Sequence, residues 1–286
     1  MLSGMVSVPF LKMHGLGNDF VVIDARSSSV AIDETAARRL ADRREGIGCD
    51  QLIVLERGRD GGDAFMRIRN ADGGEVEACG NAARCVARLL MDEGSRSRIR
   101  IETASGPVEA EGAGEGRVRV DLGPARTSWS DIPVAEAVAD TTHLPLIVGP
   151  LSDPVGVNVG NPHAVFFVAD AEAVDLALWG PRIETHPLFP QRTNVEVATV
   201  LGPALIRMRV WERGVGITRA CGTGAAATLV AAVRRRLSGG RAEVRLDGGP
   251  LDVEWRDDGH VVITGPVAVS FKGRFDAGLL RTPLGG

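Results

Sequence analysis

The sequence predicts an α+β protein of two homologous domains, each a curved, mostly antiparallel sheet around a central helix. The main observation behind this is a repeat at half the chain length. Residues 66–80 align without a gap on 208–222 at an offset of 142, with 7 identities in the 25 positions from 66 to 90. Gly17-Asn18 falls on Gly160-Asn161 and Gln51 on Asn194, both at an offset of 143. Gly106-Pro107 falls on Gly249-Pro250, and Gly123-Pro124 on Gly265-Pro266. Five matches in one order and at nearly one offset point to a duplicated domain. The second observation is the same alternation of strand-like and helical runs in each half.

In the first half, residues 20–24, 52–55, 64–69 and 117–122 have strand character, the last alternating polar and apolar. Asp33 is a good N-cap for a helix running to about Arg44. A second helix is expected from about Asn81 to Glu93, stopped by Gly94. In the second half, residues 155–159, 164–168, 205–211, 242–246, 251–255 and 260–264 read as strands. The Ala-rich run from Thr223 to Leu237 predicts a buried central helix, ended by Ser238-Gly239-Gly240. The stretch 124–150 carries Pro124, Pro133, Pro145 and Pro150 and reads as an irregular boundary. The expected domains are 1–125, joined by a C-terminal strand near 267–278, and 126–266.

Composition narrows the function. The 33 Lys+Arg against 37 Asp+Glu leave a net charge of −4, without the basic surplus of a nucleic-acid binder. No apolar run approaches the ~18–20 residues that span a bilayer, and residues 1–8 lack the features of a secretory signal. A cytoplasmic protein with reduced thiols is expected. There are no tyrosines, and only two lysines, Lys12 and Lys272, neither in a Gly-rich phosphate-binding context. Pyridoxal phosphate is therefore not expected. Cys49, Cys79, Cys85 and Cys221 form no C-x-x-C, which is poor for zinc and for a disulfide framework. Gly15-Leu16-Gly17 and Gly222-Thr223-Gly224 lack the full spacing of a dinucleotide fingerprint.

Both halves place a cysteine after a strand and loop, immediately before Gly and a helix: Ala78-Cys79-Gly80-Asn81 and Ala220-Cys221-Gly222-Thr223. A helix N-terminus favours the thiolate and offers N–H groups to a carboxylate. Duplication is expected to bring the two thiols to one interdomain cleft, a usual place for a ligand. Two opposed thiols suit inversion of a carbon α to a carboxylate, one removing the proton and the other returning it. Each must reach within ~3–3.5 Å of the carbon, so the sulfurs should lie roughly 6–7 Å apart. Cys49 and Cys85 read as small core residues.

At these residues the sequence resembles diaminopimelate epimerases, within the wider group of cofactor-independent amino-acid racemases and epimerases. The stretches that carry the resemblance begin with 12–20 (KMHGLGNDF), Asp50-Gln51, Asn70-Ala71-Asp72-Gly73 and 78–81 (ACGN). They continue with Gly160-Asn161-Pro162-His163, Arg192-Thr193-Asn194, Glu212-Arg213-Gly214 and 220–224 (ACGTG). Two departures appear: Ala82 where that family usually has Gly, and Trp211 where Tyr is common. Residues 1–8 and 280–286 exceed the usual family ends and are expected to be loose.

The resemblance implies inversion of one α-carbon of LL-2,6-diaminoheptanedioate to the meso form, without metal or organic cofactor, by a homodimer. It implies Cys79 and Cys221 as acid–base residues, with His163 and Glu212 tuning their protonation. Gly80, Asn81, Gly222 and Thr223 would hold the α-carboxylate. Asn18, Gln51, Asn70, Asn161 and Asn194 would line the pocket, and Glu212 and Arg213 would pair with a head group. The residue types fit: neutral amides recognise a two-headed zwitterion without disturbing the thiol charges.

Other readings stay open at this level. Asn70 beside Asp72-Gly73 also suits a turn, and His163 a satisfied core histidine. His14, His143, His186 and His260 read as structural or surface residues. Arg234-Arg235-Arg236 reads as a solvated helix end. The same fold and cysteine pair could serve another amino acid. A thiol acyl-transferase would use one cysteine with His163 as base, and a redox switch would join Cys79 to Cys221, which needs Cα atoms within ~7 Å.

Overall fold

The computed structural model describes residues 7–28, 30–77 and 79–281. The chain divides into two compact units, Met1–Val118 with Pro266–Gly286, and Arg119–Gly265. Among the described residues no helix is long and apolar enough to cross a membrane.

The first unit opens with β1 (Ser7–Gly15) and β2 (Asn18–Asp24), an antiparallel pair joined by Leu16 and Gly17. Both linking residues have positive φ, 58° and 83°, the backbone a two-residue hairpin of this twist needs. Helix α1 (Glu34–Ala41) crosses over to β3 (Gln51–Glu56), parallel to β2, and β4 (Ala64–Asn70) returns antiparallel with the short β5 (Glu75–Val76) beside it. Helix α2 (Gly80–Gly94) leads to β6 (Arg98–Thr103), parallel to β4, and β7 (Gly106–Gly112) closes the run.

With β8 (Arg117–Pro124) the chain passes into the second unit. Here β9 (Ile147–Val148) and β10 (Leu151–Ser152) make a small hairpin before β11 (Val155–Asn158) and β12 (Pro162–Phe167). The order of the first unit then recurs: α3 (Leu176–Glu184), β13 (Asn194–Gly202), β14 (Leu205–Glu212), β15 (Gly216–Thr218), α4 (Gly222–Arg234), β16 (Arg241–Leu246), β17 (Gly249–Trp255) and β18 (His260–Pro266). The chain finally returns to the first unit as β19 (Ala268–Asp276), antiparallel to β1, and a 3-10 turn at Ala277–Leu280. The repeat extends to register: Phe20 faces Gln51 in one unit and His163 faces Asn194 in the other, each pair 143 residues from its counterpart.

Alternate residues of β2 and β3 face two helices. Val21, Ile23, Leu52 and Val54 pack with Ala37 and Leu40 of α1, while α2 lies against β1, β2, β6 and β7. Helix α4 is apolar nearly all round and buried along most of its length, the pattern of a central helix. The expected two-domain α+β architecture, mostly antiparallel, is what the structure has.

Several element ends differ from expectation. Helix α1 stops at Ala41 because the Asp42 carboxylate accepts the N–H groups of Arg44 and Glu45, a local bond that competes with the helix. Helix α2 runs through Gly94, and Ser95, with φ 48°, takes the left-handed terminating conformation. Helix α4 ends at Arg234, and the next two arginines belong to the turn. Helix α3 falls where the sequence reading assigned no element, and it holds Pro181 inside it. In the irregular stretch before β9, Ile132, Val134, Leu144 and Leu146 share a core with Phe166 and Ile183.

The Arg234-Arg235-Arg236 run is not a solvated end. Arg234 donates to Gly156 O and Thr141 Oγ1, and Arg235 to the carbonyls of Thr142 and Asp153; Arg236 alone is exposed. Of the segments expected to be loose, Ser7 and Val8 belong to β1, and Leu280 ends the 3-10 turn. Residues 1–6 and 282–286 lie outside the described residues, as does Ala78.

Candidate active site

Each unit places its cysteine as the N-cap of its long central helix. Cys79 is extended, and its Sγ accepts the Ala82 N–H at 3.5 Å; Cys221 is extended, and its Sγ accepts the Gly224 N–H at 3.3 Å. A sulfur replaces the usual Ser or Asp oxygen at this position. The first-turn N–H groups of Gly80 and Asn81, and of Gly222 and Thr223, are those a helix leaves without intrahelical partners. Cys49, Cys79, Cys85 and Cys221 are not joined in disulfides, and burial pushes the thiols of Cys49 and Cys85 up to about 12.

In the first unit, polar side chains at the start of α2 and on the neighbouring strands form a chain of hydrogen bonds. Arg84 Nη2 donates to Asn81 Oδ1 (2.7 Å), Asn81 Nδ2 to Asn18 Oδ1 (3.1 Å), and Asn18 Nδ2 to Asp50 Oδ2 (3.0 Å). The charged ends fix which way each amide points, donor or acceptor. Gln51 and Asn70 face each other across β3 and β4, joined from Nε2 to Oδ1 at 2.9 Å. That bond leaves the buried Gln51 Oε1 without a protein partner. Behind them, Arg43 bridges Asp19 and Asp50, and Lys12 pairs with Asp19 and reaches Gly48 O.

In the second unit, Cys221 Sγ lies 3.4 Å from Thr223 Oγ1. His163 is fully buried, with Nδ1 at 2.7 Å from Glu196 Oε1 and Nε2 at 2.8 Å from Asn161 Oδ1. Asn194 donates to Pro162 O and accepts the backbone N–H of Arg213, which sets the turn after β14. Glu212 accepts the Thr218 hydroxyl, and the Arg213 guanidinium donates to Gln191 O. Glu184 supports the same turn, accepting from Trp211 Nε1 and Gly214 N. Burial pushes the Cys221 thiol well up, reinforced by the Glu212 and Glu196 carboxylates, and the bonds from Thr223 and Gly224 do not offset this. The expectation that the helix start favours a thiolate therefore fails at Cys221, where desolvation and two carboxylates win.

Of the expected residues, the structure joins Asn18 to Asn81 at the start of α2 and Gln51 to Asn70, and in the second unit it sets Thr223 beside Cys221, joins His163 to Asn161, and uses Asn194 to hold the turn that carries Glu212 and Arg213. Sequence reasoning missed Glu196, Arg84 and Asp50. Glu196 closes the gap between His163 and the thiol: a methyl group at Gly224 would stand 2.8 Å from Glu196 Oε1 and 3.3 Å from Cys221 Sγ. A signal existed, because the repeat sets Glu196 opposite Ile53, a charge where its twin has a core residue. Among the described residues no group of three or more His, Cys, Asp or Glu side chains is placed to hold a metal ion.

The family model for diaminopimelate epimerase matches residues 10–128 and again 155–270. A diaminopimelate epimerase from Rhodospirillum centenum is 58% identical over 272 residues, covering 95% of this chain and 93% of that protein. The Acidiphilium cryptum protein of the same name is 53% identical, with 95% and 98% covered. Among solved structures, a probable proline racemase from Agrobacterium radiobacter superposes with TM-score 0.70 at 18% identity, covering 94% of this chain and 92% of that one. A hydroxyproline epimerase from Agrobacterium vitis has the same score and identity, covering 98% and 94%. At such identities the structural likeness speaks for the fold alone.

Proposed function

The chain belongs to the diaminopimelate epimerase family, and we propose that Cys79 and Cys221 are the acid–base pair with which it interconverts LL- and meso-2,6-diaminoheptanedioate. The reaction is a step of lysine biosynthesis, and its meso product also supplies cell-wall crosslinks. The observation that carries the pairing is the repeated placement: each unit caps its central helix with a cysteine sulfur.

In one direction a thiolate takes the α-proton, forming an S–H bond and leaving the electron pair on carbon, conjugated with the carboxylate. The other thiol gives its proton to the opposite face and is left as thiolate. The centre is inverted, and the two sulfurs have exchanged protonation states. The reaction requires one sulfur on each face, within ~3–3.5 Å of the carbon.

The α-carboxylate is held by the first-turn N–H groups of Gly80, Asn81, Gly222 and Thr223, where the helix dipoles add to the bonds. Asn18, Gln51, Asn70, Asn161 and Asn194 line the pocket, and the unpartnered Gln51 Oε1 suits an ammonium. Glu212 and Arg213 receive the ammonium and carboxylate of a head group. His163 and Glu212 tune the thiols. The two units are the two epimerase halves of the duplication. A reducing, cytoplasmic setting follows from the need for two free thiols. The protein is a homodimer, a reading supported by Val269 and Phe271, which stand exposed on β19.

The test is incubation of the reduced protein with LL-diaminopimelate in deuterated water, followed by NMR at the α-position. Deuterium entering with meso product, in wild type and in neither Cys79→Ala nor Cys221→Ala, supports the pair and the substrate. Exchange only with another amino acid moves the specificity; no exchange with any amino acid overturns the reading.

A further inference from the structure

The two thiol sites are built on equivalent frames and carry opposite charge. The offset of 143 that maps Gln51 on Asn194 maps Ile53 on Glu196, and the offset of 142 that maps Cys79 on Cys221 maps Arg84 on Ala226. The first unit therefore has a cation where the second has a methyl group. The second has a carboxylate where the first has an aliphatic chain. The same offsets set Asn70 opposite Glu212 and Phe20 opposite His163, which adds further ionisable groups at Cys221 alone.

Arg84 is an unusual residue to bury. It sits five positions into α2 from Cys79, fully enclosed, with its guanidinium against Gly15, where a methyl group would stand 3.1 Å from Nη2. Its one hydrogen bond goes to Asn81; Nε and Nη1 are buried without partners, and no ion pair to a carboxylate forms among the described residues. Burial pushes the guanidinium down to about 10, opposed by the sulfurs of Cys85 and Cys79. An enclosed cation without a counter-ion is costly, and of those two sulfurs Cys85 is itself held as a thiol by burial. In the second unit Glu196 gives one oxygen to His163 and leaves Oε2 buried and unpartnered.

The other charged groups on the packed strands are engaged elsewhere. Against α2, Lys12 pairs with Asp19, Asp24 with Arg26, Arg98 with Glu111 and Arg100 with Glu109. His14 accepts the Gly17 N–H, and Glu102 accepts amides of the 59–62 loop. Against α4, Arg207 pairs with Glu172 and Asp247, Arg209 with Glu172, Arg241 with Glu254 and Arg245 with Glu243; Asp252 is exposed.

We propose that Arg84 and Glu196 are positioning residues that charge the two sites with opposite sign, so that the free enzyme rests with Cys79 as thiolate and Cys221 as thiol. This rests on the two-thiol reading above, and it removes the symmetry that duplication would otherwise impose. A pair of equal thiols would populate the doubly protonated and doubly ionised forms, neither of which can turn over. Opposite local charge selects one productive form before substrate arrives.

The test is an ultraviolet thiolate titration without substrate. Cys221→Ala reports Cys79, and Cys79→Ala reports Cys221, while Cys49 and Cys85 stay silent until high pH. Cys79 is expected to ionise below the ~8.5 of a free thiol and Cys221 above it. Arg84→Met raises the Cys79 midpoint by roughly 1–3 pH units, leaving Cys221 where it was; Arg84→Lys restores most of the shift. Glu196→Gln lowers the Cys221 midpoint.

An unmoved Cys79 midpoint in folded Arg84→Met overturns the proposal. If that variant does not fold, Cys221 ionising at or below Cys79, or unshifted by Glu196→Gln, overturns it instead. Since no substrate is present, failure of the epimerase reading, seen as absent deuterium exchange, remains distinguishable.

Discussion

His163 and Glu196 form a hydrogen-bonded pair sealed from solvent, Nδ1 to Oε1 at 2.7 Å with both side chains at 0% exposure. They stand on adjacent parallel strands, β12 and β13, so the pair also locks the edge that carries Asn161 and Asn194. Glu196→Ala leaves the ring nitrogen buried without a partner and should cost about 3 kcal/mol. Glu196→Gln keeps an acceptor at the same place and should cost nearer 1 kcal/mol. Urea unfolding with an unchanged m-value measures both. Equal losses in the two variants would mean that the side chain matters for packing and not for the bond.

Gly224 sits tightly between Cys221 and Glu196. Because a methyl group there meets Glu196 Oε1 at 2.8 Å, Gly224→Ala must displace either the carboxylate or the helix start. The repeat places Ala82 at the equivalent position of the first unit, opposite Ile53. This gives a physical reason why alanine is accommodated at 82. Gly224→Ala is expected to cost about 1–3 kcal/mol of stability and to lower kcat roughly 10-fold or more through the misplaced thiol. Steady-state kinetics beside a thermal melt separates the two; unchanged kcat in a destabilised protein counts against this role for Gly224.

The arginines after α4 divide by what they hold. The half-buried Arg234 ties Gly156 and Thr141 to the helix end, and its guanidinium is pushed down by burial, opposed by Asp140. Arg234→Ala should cost roughly 1.5–3 kcal/mol, the range for bonds to a charged group. Arg236→Ala, at an exposed position, should change stability by less than about 0.5 kcal/mol. Matching losses in both variants would restore the simpler picture of a solvated basic end.

The repeat, the cysteines at the helix starts and strands such as β2, β3, β4 and β14 were legible because each depends on local chemistry that survives in one sequence (caps, glycines and alternation), while β1, β6, β7 and β13 were not expected. Glu196 and Arg84 were not. A charge inside an apolar run reads as an outward-facing residue, and only packing shows that Arg84 turns inward against Gly15. Helix α3 holds Pro181 inside it, and the early end of α1 comes from the bonds that Asp42 makes to its own backbone neighbours. In each case tertiary packing or one side-chain bond overrode the average behaviour of the residue type.

Asp19 ties the first unit's polar chain to charge, and its ionisation should shape acid stability. Burial raises the carboxyl's affinity for a proton, but the bonds from Arg43 and Lys12 outweigh it and hold the group well below the usual carboxylate range. A folded-state value below the unfolded one means that this stabilisation is complete above the unfolded value of about 4 and is given up as pH falls toward the folded one. Asp19→Asn should therefore be less stable than wild type at pH 7, by about 1–3 kcal/mol. As the pH drops below 4 the two stability curves should converge, because wild type loses a contribution the variant never had. Urea midpoints measured across that range check the sign: a gap that widens toward acid would show that Asp19 is not the group whose protonation weakens the fold.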